Sequence, residues 1–317
     1  MTDNIPATPN CFRGLEMKTR ICLKNRKCRD TTGNCLVRGS DGFPLQCVGP
    51  WAEDKHFYLK RYLEATREAR NKYSRYGNAV YVDLFSGPGK SIIRDEQREI
   101  LGGGLIATTL DQVPFNEYWF CDLLPNNIEA LKNRIGSEKK GQYYVGDANV
   151  KITEMVSLLN QAPYDRYHFI FVDPFGLKAL KFPTIAKLAE LKRLDVLLNF
   201  PLMPMKRNIP QWLQDNGQEV ALDEFLGTKE WREKIQTGTM EQQVTILLEI
   251  YRKQLLKAGF PENGIQIHKQ ISTVQIKNTK ERCLYALVLF SKHPVAQKIW
   301  NSVIKKNPSG QSELPGL

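Results

Sequence analysis

Two short motifs, each at the end of an apolar run, constrain the fold most strongly. Residues 82–89 read VDLFSGPG, and residues 169–176 read FIFVDPFG. The first motif predicts a strand that runs into a glycine turn. The second predicts a strand that ends in an acid, a proline and an aromatic residue. Because ligands bind at the carboxyl ends of strands in an open parallel sheet, the motifs predict one site that holds a cofactor and, beside it, a planar polar group.

The composition indicates a globular protein with a basic periphery. The 317 residues are 42% hydrophobic and 25% charged, and the net charge is +11. Residues 251–317 contain 11 Lys and Arg against 3 Asp and Glu, whereas residues 79–250 are slightly acidic. This distribution suits nucleic acid as a partner, since basic residues release counterions at phosphates. A solvated basic surface explains the charge equally well.

The sequence shows no feature of a membrane or secreted protein. No apolar run approaches the roughly 18 residues of a membrane-spanning helix. The N-terminus lacks the basic and apolar regions of a signal peptide. We therefore expect a cytoplasmic protein that does not bind a membrane.

Five of the seven cysteines lie within the first 47 residues. Their spacings do not include the C-x2-C pair of a zinc knuckle or ribbon. A metal site remains open, as zinc or an iron–sulfur cluster held by Cys22, Cys28 and Cys35. Free thiols are the other interpretation. Cys121 and Cys283 lie in apolar strand-like runs and are expected in the core.

Strands alternate with helices along most of the chain. Apolar runs predict strands over 79–85, 118–121, 142–145, 167–172 and 194–200. Helical spacing and the spacing between the strands predict helices over 51–76, 105–110, 127–135, 151–160, 183–192 and 295–305. Residues 270–277 and 284–291 predict an antiparallel pair joined around 278–280. The pattern predicts a Rossmann-like α/β fold, a mostly parallel sheet with helices on both faces and an antiparallel strand pair near the C-terminus.

The chain divides into three predicted parts. These are a cysteine-rich basic N-terminal segment over 1–49, a domain over 50–306 and a flexible tail over 307–317. Within the domain, residues 201–240 predict a helical insert on the ligand side of the sheet. The insert is either a packed lid or a substrate-recognition element, with aromatic residues that stack on bases and with Lys206 and Arg207 on phosphates.

The glycine turn suits three ligands to different degrees. A dinucleotide fingerprint needs a third spaced glycine, which the chain lacks. Gly89, Lys90 and Ser91 end like a Walker A loop, and residues 169–173 resemble a Walker B strand. However, Leu84 stands where Walker A has its first glycine, and Pro88 removes an amide donor.

S-adenosylmethionine fits the turn better, because acids follow three successive predicted strands. Asp83 and the glycines suit its carboxylate and amine, Asp122 its ribose hydroxyls, and Asp147 its adenine amine. A single acid at a strand end would more often be a helix cap. The predicted cofactor residues are Asp83, Phe85, Gly87, Gly89, Asp122 and Asp147.

On these motifs the chain resembles the class I S-adenosylmethionine-dependent methyltransferases. Within them it is similar to the three-Cys-motif partner protein family over residues of about 41–305. The resemblance rests on VGPW at 48–51 with Lys55, YL at 62–63, DLFSGPG at 83–89, DPFG at 173–176, NFP at 199–201 and FSKHP at 290–294. It implies a methyltransferase-like domain and a separate, radical-enzyme-like partner that carries three cysteines. The cysteines of residues 1–40 are not that motif.

The tetrad at 173–176 is similar to those of amino-methyltransferases, and still more to the Asp-Pro-Phe-Gly of tRNA guanine-N2 methyltransferases. An exocyclic amine on a base is a poor nucleophile. Asp173 and the backbone carbonyl that follows it can accept its N–H groups, while Phe175 stacks on the base. The predicted catalytic residues are Asp173, Pro174 and Phe175, and the predicted substrate-binding residues are Trp51, Lys55, Lys206 and Arg207. Phe175 and Gly176 depart from the commonest tetrad, and Trp51 also suits a packing role.

Three functions follow from these patterns. The first is an S-adenosylmethionine-dependent methyltransferase that acts on an exocyclic amino group of a nucleic-acid base, with RNA favoured over DNA. The second is a non-catalytic module of the same fold that binds nucleic acid or protein together with a three-Cys-motif partner. The third is a P-loop-like nucleotide hydrolase that uses Lys90, Ser91 and Asp173.

Overall fold

The computed structural model describes residues 29–94, 96–110, 112–161, 166–214, 220–235, 238–265, 273–277, 283–306 and 308. Cys22, Cys28, the turn predicted at 278–280 and nearly all of the tail lie outside this set. Among the helices within it, none is long and apolar enough to cross a membrane.

The elements follow the predicted alternation of strands and helices. The strands are β1 (Asn34–Arg38), β2 (Pro44–Val48), β3 (Ala79–Asp83), β4 (Lys90–Ile93), β5 (Arg98–Leu101), β6 (Glu117–Asp122), β7 (Gly141–Val145), β8 (Tyr167–Val172), β9 (Arg193–Phe200), β10 (Thr273–Lys277) and β11 (Cys283–Ser291). The helices are α1 (Ala52–Ala65), α2 (Arg67–Ser74), α3 (Gly103–Thr108), α4 (Pro125–Ile135), α5 (Ala148–Asn160), α6 (Phe182–Leu188), α7 (Leu202–Trp212), α8 (Ala221–Leu226), α9 (Trp231–Lys234), α10 (Met240–Lys257) and α11 (Pro294–Val303).

The larger sheet has seven strands in the order β10-β11-β9-β8-β3-β6-β7. The neighbouring strands β7, β6, β3, β8 and β9 are all parallel to one another, and β11 is antiparallel to both β9 and β10. This order confirms the predicted Rossmann-like α/β fold, a mostly parallel sheet with an antiparallel strand pair near the C-terminus. The strand order reverses between β3 and β8, so a ligand crevice is expected at the carboxyl ends of these two strands.

Helices cover both faces of the larger sheet, because successive side chains of each strand point to opposite sides. Val80 and Val82 of β3 pack into a cluster with α5, α6 and α10. Tyr81 packs into a second cluster with α1, α3, α4 and α11. The site residues described below lie at the end of β3 and its neighbours.

The insert at 201–240 contains α7, α8 and α9, and its aromatic residues belong to the core. Phe225 and Trp231 are fully buried, and the half-buried Trp212 packs edge-on against Trp231 at 6.5 Å. These rings are therefore not free to stack on bases. Packing explains the aromatic residues of the insert, as in the first of the two interpretations above.

A smaller sheet, in the order β1-β2-β4-β5, was not predicted. It joins strands on both sides of residue 49, since β2 pairs in parallel with β4. Its own core contains Cys35, Leu45, Cys47 and Ile92. The hairpin of β4 and β5 leaves the glycine turn, so this sheet borders the predicted cofactor site.

Candidate active site

The glycine turn leaves the carboxyl end of β3 and is anchored to the neighbouring strand β6. The amide of Gly87 donates to Asp122 Oδ2 at 2.9 Å. Gly87 and Gly89 have φ angles of +57° and +87°, which residues with a β-carbon rarely adopt. A β-carbon on Gly89 would lie 2.7 Å from the Leu131 side chain, so this position also requires close packing by glycine.

The residues after the turn contradict the P-loop-like hydrolase. A Walker loop presents phosphate to the N-terminus of a helix, whereas Lys90 and Ser91 begin strand β4. Lys90 Nζ also pairs with Asp41 at 3.1 Å and with Glu99 at 3.2 Å. Its ammonium group braces the smaller sheet, and the hydrolase prediction was wrong.

Asp83 is the most buried acid of the site. It is 1% exposed and lines a cleft between the glycine turn, α1 and the start of α3. Burial, together with the charges of Asp173 and Asp122, raises the pKa of Asp83 to about 8. The amide of Phe85, which donates to Asp83 Oδ1 at 3.2 Å, acts in the opposite direction. Such a carboxyl group suits a cationic ligand, whose charge would favour its ionised form.

Two further acids lie at the ends of the next strands, as predicted. Asp122 Oδ1 accepts from the Leu124 amide and from Asn127 Nδ2, both at 2.9 Å. Burial raises the pKa of Asp122 despite these hydrogen bonds. Asp147 is exposed and caps α5, because its Oδ1 accepts from the Asn149 amide at 2.8 Å. Asp147 is therefore a capping residue that lies exposed at this edge of the sheet.

Asp173 follows β8 and is held from two sides. Lys55 Nζ of α1 lies 2.5 Å from Asp173 Oδ2, and Asn199 Nδ2 donates to Asp173 Oδ1 at 2.7 Å. Asn199 lies level with Asp173 because Phe171 pairs with Leu197 two residues earlier. The carboxylate that was predicted to hold a substrate amine thus already holds an amine of this chain.

The aromatic residue of the tetrad faces solvent. Phe175 is 67% exposed, whereas Pro174 is buried. The guanidinium group of Arg29 lies 5.7 Å from the centroid of the Phe175 ring and donates to the Cys47 carbonyl oxygen at 2.9 Å. The end of the N-terminal segment therefore forms one wall beside Phe175.

The other predicted substrate residues are not all brought together. Trp51 is half-buried against the core, and its carbonyl oxygen accepts from the Tyr285 hydroxyl at 2.7 Å. Lys206 and Arg207 lie on α7, directly after β9. Of the four predicted residues, Lys55 is the one whose contact with the tetrad the structure describes.

Sequence reasoning missed His56 and Asn199. His56 lines the cleft, where burial and the Lys55 ammonium group lower its pKa to about 3 while Asp173 opposes this shift. Ala52, Lys55 and His56 share a helical face, and this spacing could have marked the lining of the cleft. Asn199 was visible within the NFP motif, but its contact with Asp173 spans the sheet.

The predicted metal site lies mostly outside the described residues, since these omit Cys22 and Cys28. Cys35 is buried in the core of the smaller sheet. Within the ranges that the structure describes, no three His, Cys, Asp or Glu side chains form a group that could hold a metal ion. Metal binding at the N-terminal cysteines stays a prediction.

Comparisons with known proteins give distant structural similarity. No family model matches the chain, and no curated protein sequence matches it. Protein LPL1258 from Legionella pneumophila is 12% identical, with a TM-score of 0.41 over 81% of this chain and 94% of that one. The N-methyltransferase NodS from Bradyrhizobium japonicum, solved with S-adenosyl-L-homocysteine, is 12% identical, with a TM-score of 0.36 over 77% and 88%.

Trm1 from Pyrococcus horikoshii, solved with S-adenosyl-L-methionine, is 13% identical. Its TM-score is 0.38, over 83% of this chain and 64% of that one. Similarities this distant assign neither a reaction nor a substrate to the chain.

Proposed function

We propose that this protein is an S-adenosylmethionine-dependent methyltransferase that acts on an amino group. One observation carries the proposal: the buried Asp83, the Asp122 carboxylate and the tetrad Asp173 meet around one glycine turn, where the strand order reverses. The charges of Asp173 and Asp122 oppose ionisation of Asp83, so the site favours a ligand whose positive charge offsets this repulsion.

The residues around the turn fit the parts of this cofactor. In the proposal, Asp83 holds the ammonium group of its amino-acid part, and Gly87 and Gly89 allow close approach of the ligand to the backbone. Asp122 accepts the ribose hydroxyls. Leu123, which is 67% exposed directly after Asp122, offers an apolar surface for the adenine ring. When bound, S-adenosylmethionine supplies an electrophilic methyl group.

The tetrad handles the acceptor amine. Asp173 and the carbonyl oxygen of Pro174 accept its N–H groups and hold the nitrogen in a fixed orientation, which supplies much of the rate by proximity. Phe175 stacks on a planar ring. Asn199 keeps Asp173 oriented through its hydrogen bond of 2.7 Å.

The proposed substrate is a nucleic-acid base with an exocyclic amine, and RNA is favoured over DNA. The exposed Phe175 ring and the adjoining Arg29 support it, together with the net charge of +11. Stacking and a basic contact are the usual means of binding an unpaired base. Membership of the three-Cys-motif partner family, with a radical-enzyme-like partner, is part of this proposal.

Two measurements test the proposal. Calorimetry with S-adenosylmethionine should show binding by the wild type and its loss in Asp83→Asn. Mass spectrometry should find a methylated nucleoside in RNA from cells that contain the wild type and not in RNA from cells with Asp173→Ala. An absence of cofactor binding by the wild type contradicts the whole proposal. Cofactor binding without a methylated nucleoside contradicts only the choice of substrate.

One observation favours a second candidate, a non-catalytic module of the same fold. Lys55 occupies the Asp173 carboxylate, so the acceptor position is filled by the chain itself. This candidate predicts that the protein binds S-adenosylmethionine but that Asp173→Ala leaves its cellular role unchanged.

A further inference from the structure

The ammonium group of Lys55 lies where the proposed reaction needs an amine. Its Nζ is 2.5 Å from Asp173 Oδ2, and the Lys55 side chain is only 12% exposed. Asn199 occupies the other carboxylate oxygen. Asp173 Oδ2, the oxygen left for an acceptor nitrogen, therefore holds the nitrogen of Lys55.

The helix that carries Lys55 is fixed to the sheet. The Tyr285 hydroxyl donates to the Trp51 carbonyl oxygen at 2.7 Å, just before α1. About two turns beyond Lys55, the buried Tyr62 hydroxyl donates to Asp195 Oδ2 at 2.9 Å. Both anchors are buried or half-buried, so they hold α1 in place. The Lys55 side chain therefore starts from a fixed position beside Asp173.

Lys55 also lines the same cleft as Asp83 and Gly89, which the proposed function gives to the cofactor. Lys90 lines this cleft too, but its ammonium group is paired with Asp41 and Glu99. Of the two lysines that line this cleft among the described residues, Lys55 is the one that contacts the tetrad.

We propose that Lys55 is a methylation site of the protein itself, modified in cis by its own active site. The inference rests on the proposed function. Asp173 Oδ2 takes a proton from the Lys55 ammonium group, and the freed lone pair attacks the methyl carbon of S-adenosylmethionine. The N–C bond forms while the C–S bond breaks, and sulfur keeps the electron pair to give S-adenosylhomocysteine. The proton then passes from Asp173 to solvent, which leaves N-methyl-lysine at position 55.

The test incubates the purified full-length protein with S-adenosylmethionine alone and locates any mass increase of about 14 Da, one methylene, by fragmentation. We expect it on Lys55 in the wild type and in Lys60→Arg. Lys60 lies on the same helix, and its side chain is 62% exposed. Lys55→Arg keeps a cation beside Asp173 without a methyl-accepting amine, and Asp173→Asn removes the proton acceptor. Both variants should bind the cofactor and stay unmodified.

A second readout needs no cofactor. Acetic anhydride should label Lys55 at least several-fold more slowly than Lys60 in the wild type, and Asp173→Asn should remove much of this protection. Equal labelling of the two lysines in the wild type would overturn the inference, because Lys55 would not be held on Asp173.

The outcomes separate the two proposals. If calorimetry shows cofactor binding and Lys55 stays unmodified, the self-methylation is wrong and the proposed function stands. If the cofactor does not bind, both fall. Equal methylation of Lys60, or the same modification of heat-denatured protein, would show reaction in solution and overturn the inference.

Discussion

The two sheets support the same glycine turn in different ways. The larger sheet brings Asp83, Asp122 and Asp173 together by its strand order, which reverses between β3 and β8. The smaller sheet brings no acid to the cleft floor. Instead, Gln46 and Val48 of β2 and Ser91 of β4 line one side of the cleft. We infer that the larger sheet supplies the binding chemistry and the smaller sheet supplies the shape.

The largest expected effect is at Asp83 of the larger sheet, where a substitution should change cofactor binding but not stability. Asp83→Asn should weaken S-adenosylmethionine binding by roughly 100-fold or more, since loss of one partner of a buried charge pair costs about 2–5 kcal/mol. It should not lower the free energy of unfolding. Calorimetry and thermal unfolding measure the two quantities. A fall in stability with cofactor binding intact would show that Asp83 supports the fold and does not bind the ligand.

The opposite pattern is expected where the smaller sheet meets α4. Arg134 is 3% exposed and donates to Asp41, to the Pro44 carbonyl oxygen at 2.9 Å and to the Pro88 carbonyl oxygen at 2.6 Å. Arg134→Met removes a buried donor to the Pro44 and Pro88 carbonyl oxygens, so the free energy of unfolding should fall by about 2–4 kcal/mol. Denaturant unfolding measures this fall.

A matched control lies in the same sheet. Arg98 of β5 has a half-exposed side chain that pairs with Glu53 and Glu96 on the surface. Arg98→Met should leave stability nearly unchanged, because exposed ion pairs contribute little. Equal losses in both variants would mean that Arg134 acts by charge alone and does not brace the turn.

The pH dependence of cofactor binding sharpens the role of Asp83. Its pKa is about 8 in the free protein, so the Asp83 carboxyl group is mostly protonated at neutral pH. A cation that pairs with this group must bind the minor, ionised form. Affinity should therefore rise about tenfold per pH unit from pH 6 to 7.5, where the amino group of the ligand stays mostly protonated. Calorimetry in buffers of different ionisation enthalpy should show release of up to one proton.

The same shift has a consequence for stability without ligand. A folded-state pKa above the unfolded value of 3.8 means that the folded protein holds its proton more tightly. Stability from Asp83 is full below pH 4 and is lost as the pH rises through about 8. Asp83→Asn should therefore gain stability relative to the wild type as pH increases from 4 to 8, and flat pH profiles of affinity and stability would contradict the shift.

The larger sheet could be predicted because its signals are local. Val80 and Val82 alternate with Tyr81, and each acid directly follows its apolar run. The smaller sheet could not, because β2 and β4 are short and their parallel pairing, such as Gln46 with Ser91, joins strands far apart in the sequence. The contact between Lys55 and Asp173 joins residues 118 positions apart, so neither spacing nor periodicity contains it.

The smallest effect concerns Lys90, where local sequence pointed to the wrong chemistry. In a phosphate loop this lysine would be essential, whereas here its partially exposed side chain pairs with Asp41 and Glu99. Lys90→Met should lower the free energy of unfolding by at most about 1 kcal/mol and should change S-adenosylmethionine affinity by less than roughly threefold. A much larger loss of affinity would mean that the smaller sheet, too, contributes charge to the ligand. The division between chemistry and shape would then fail at the residue where the two sheets meet.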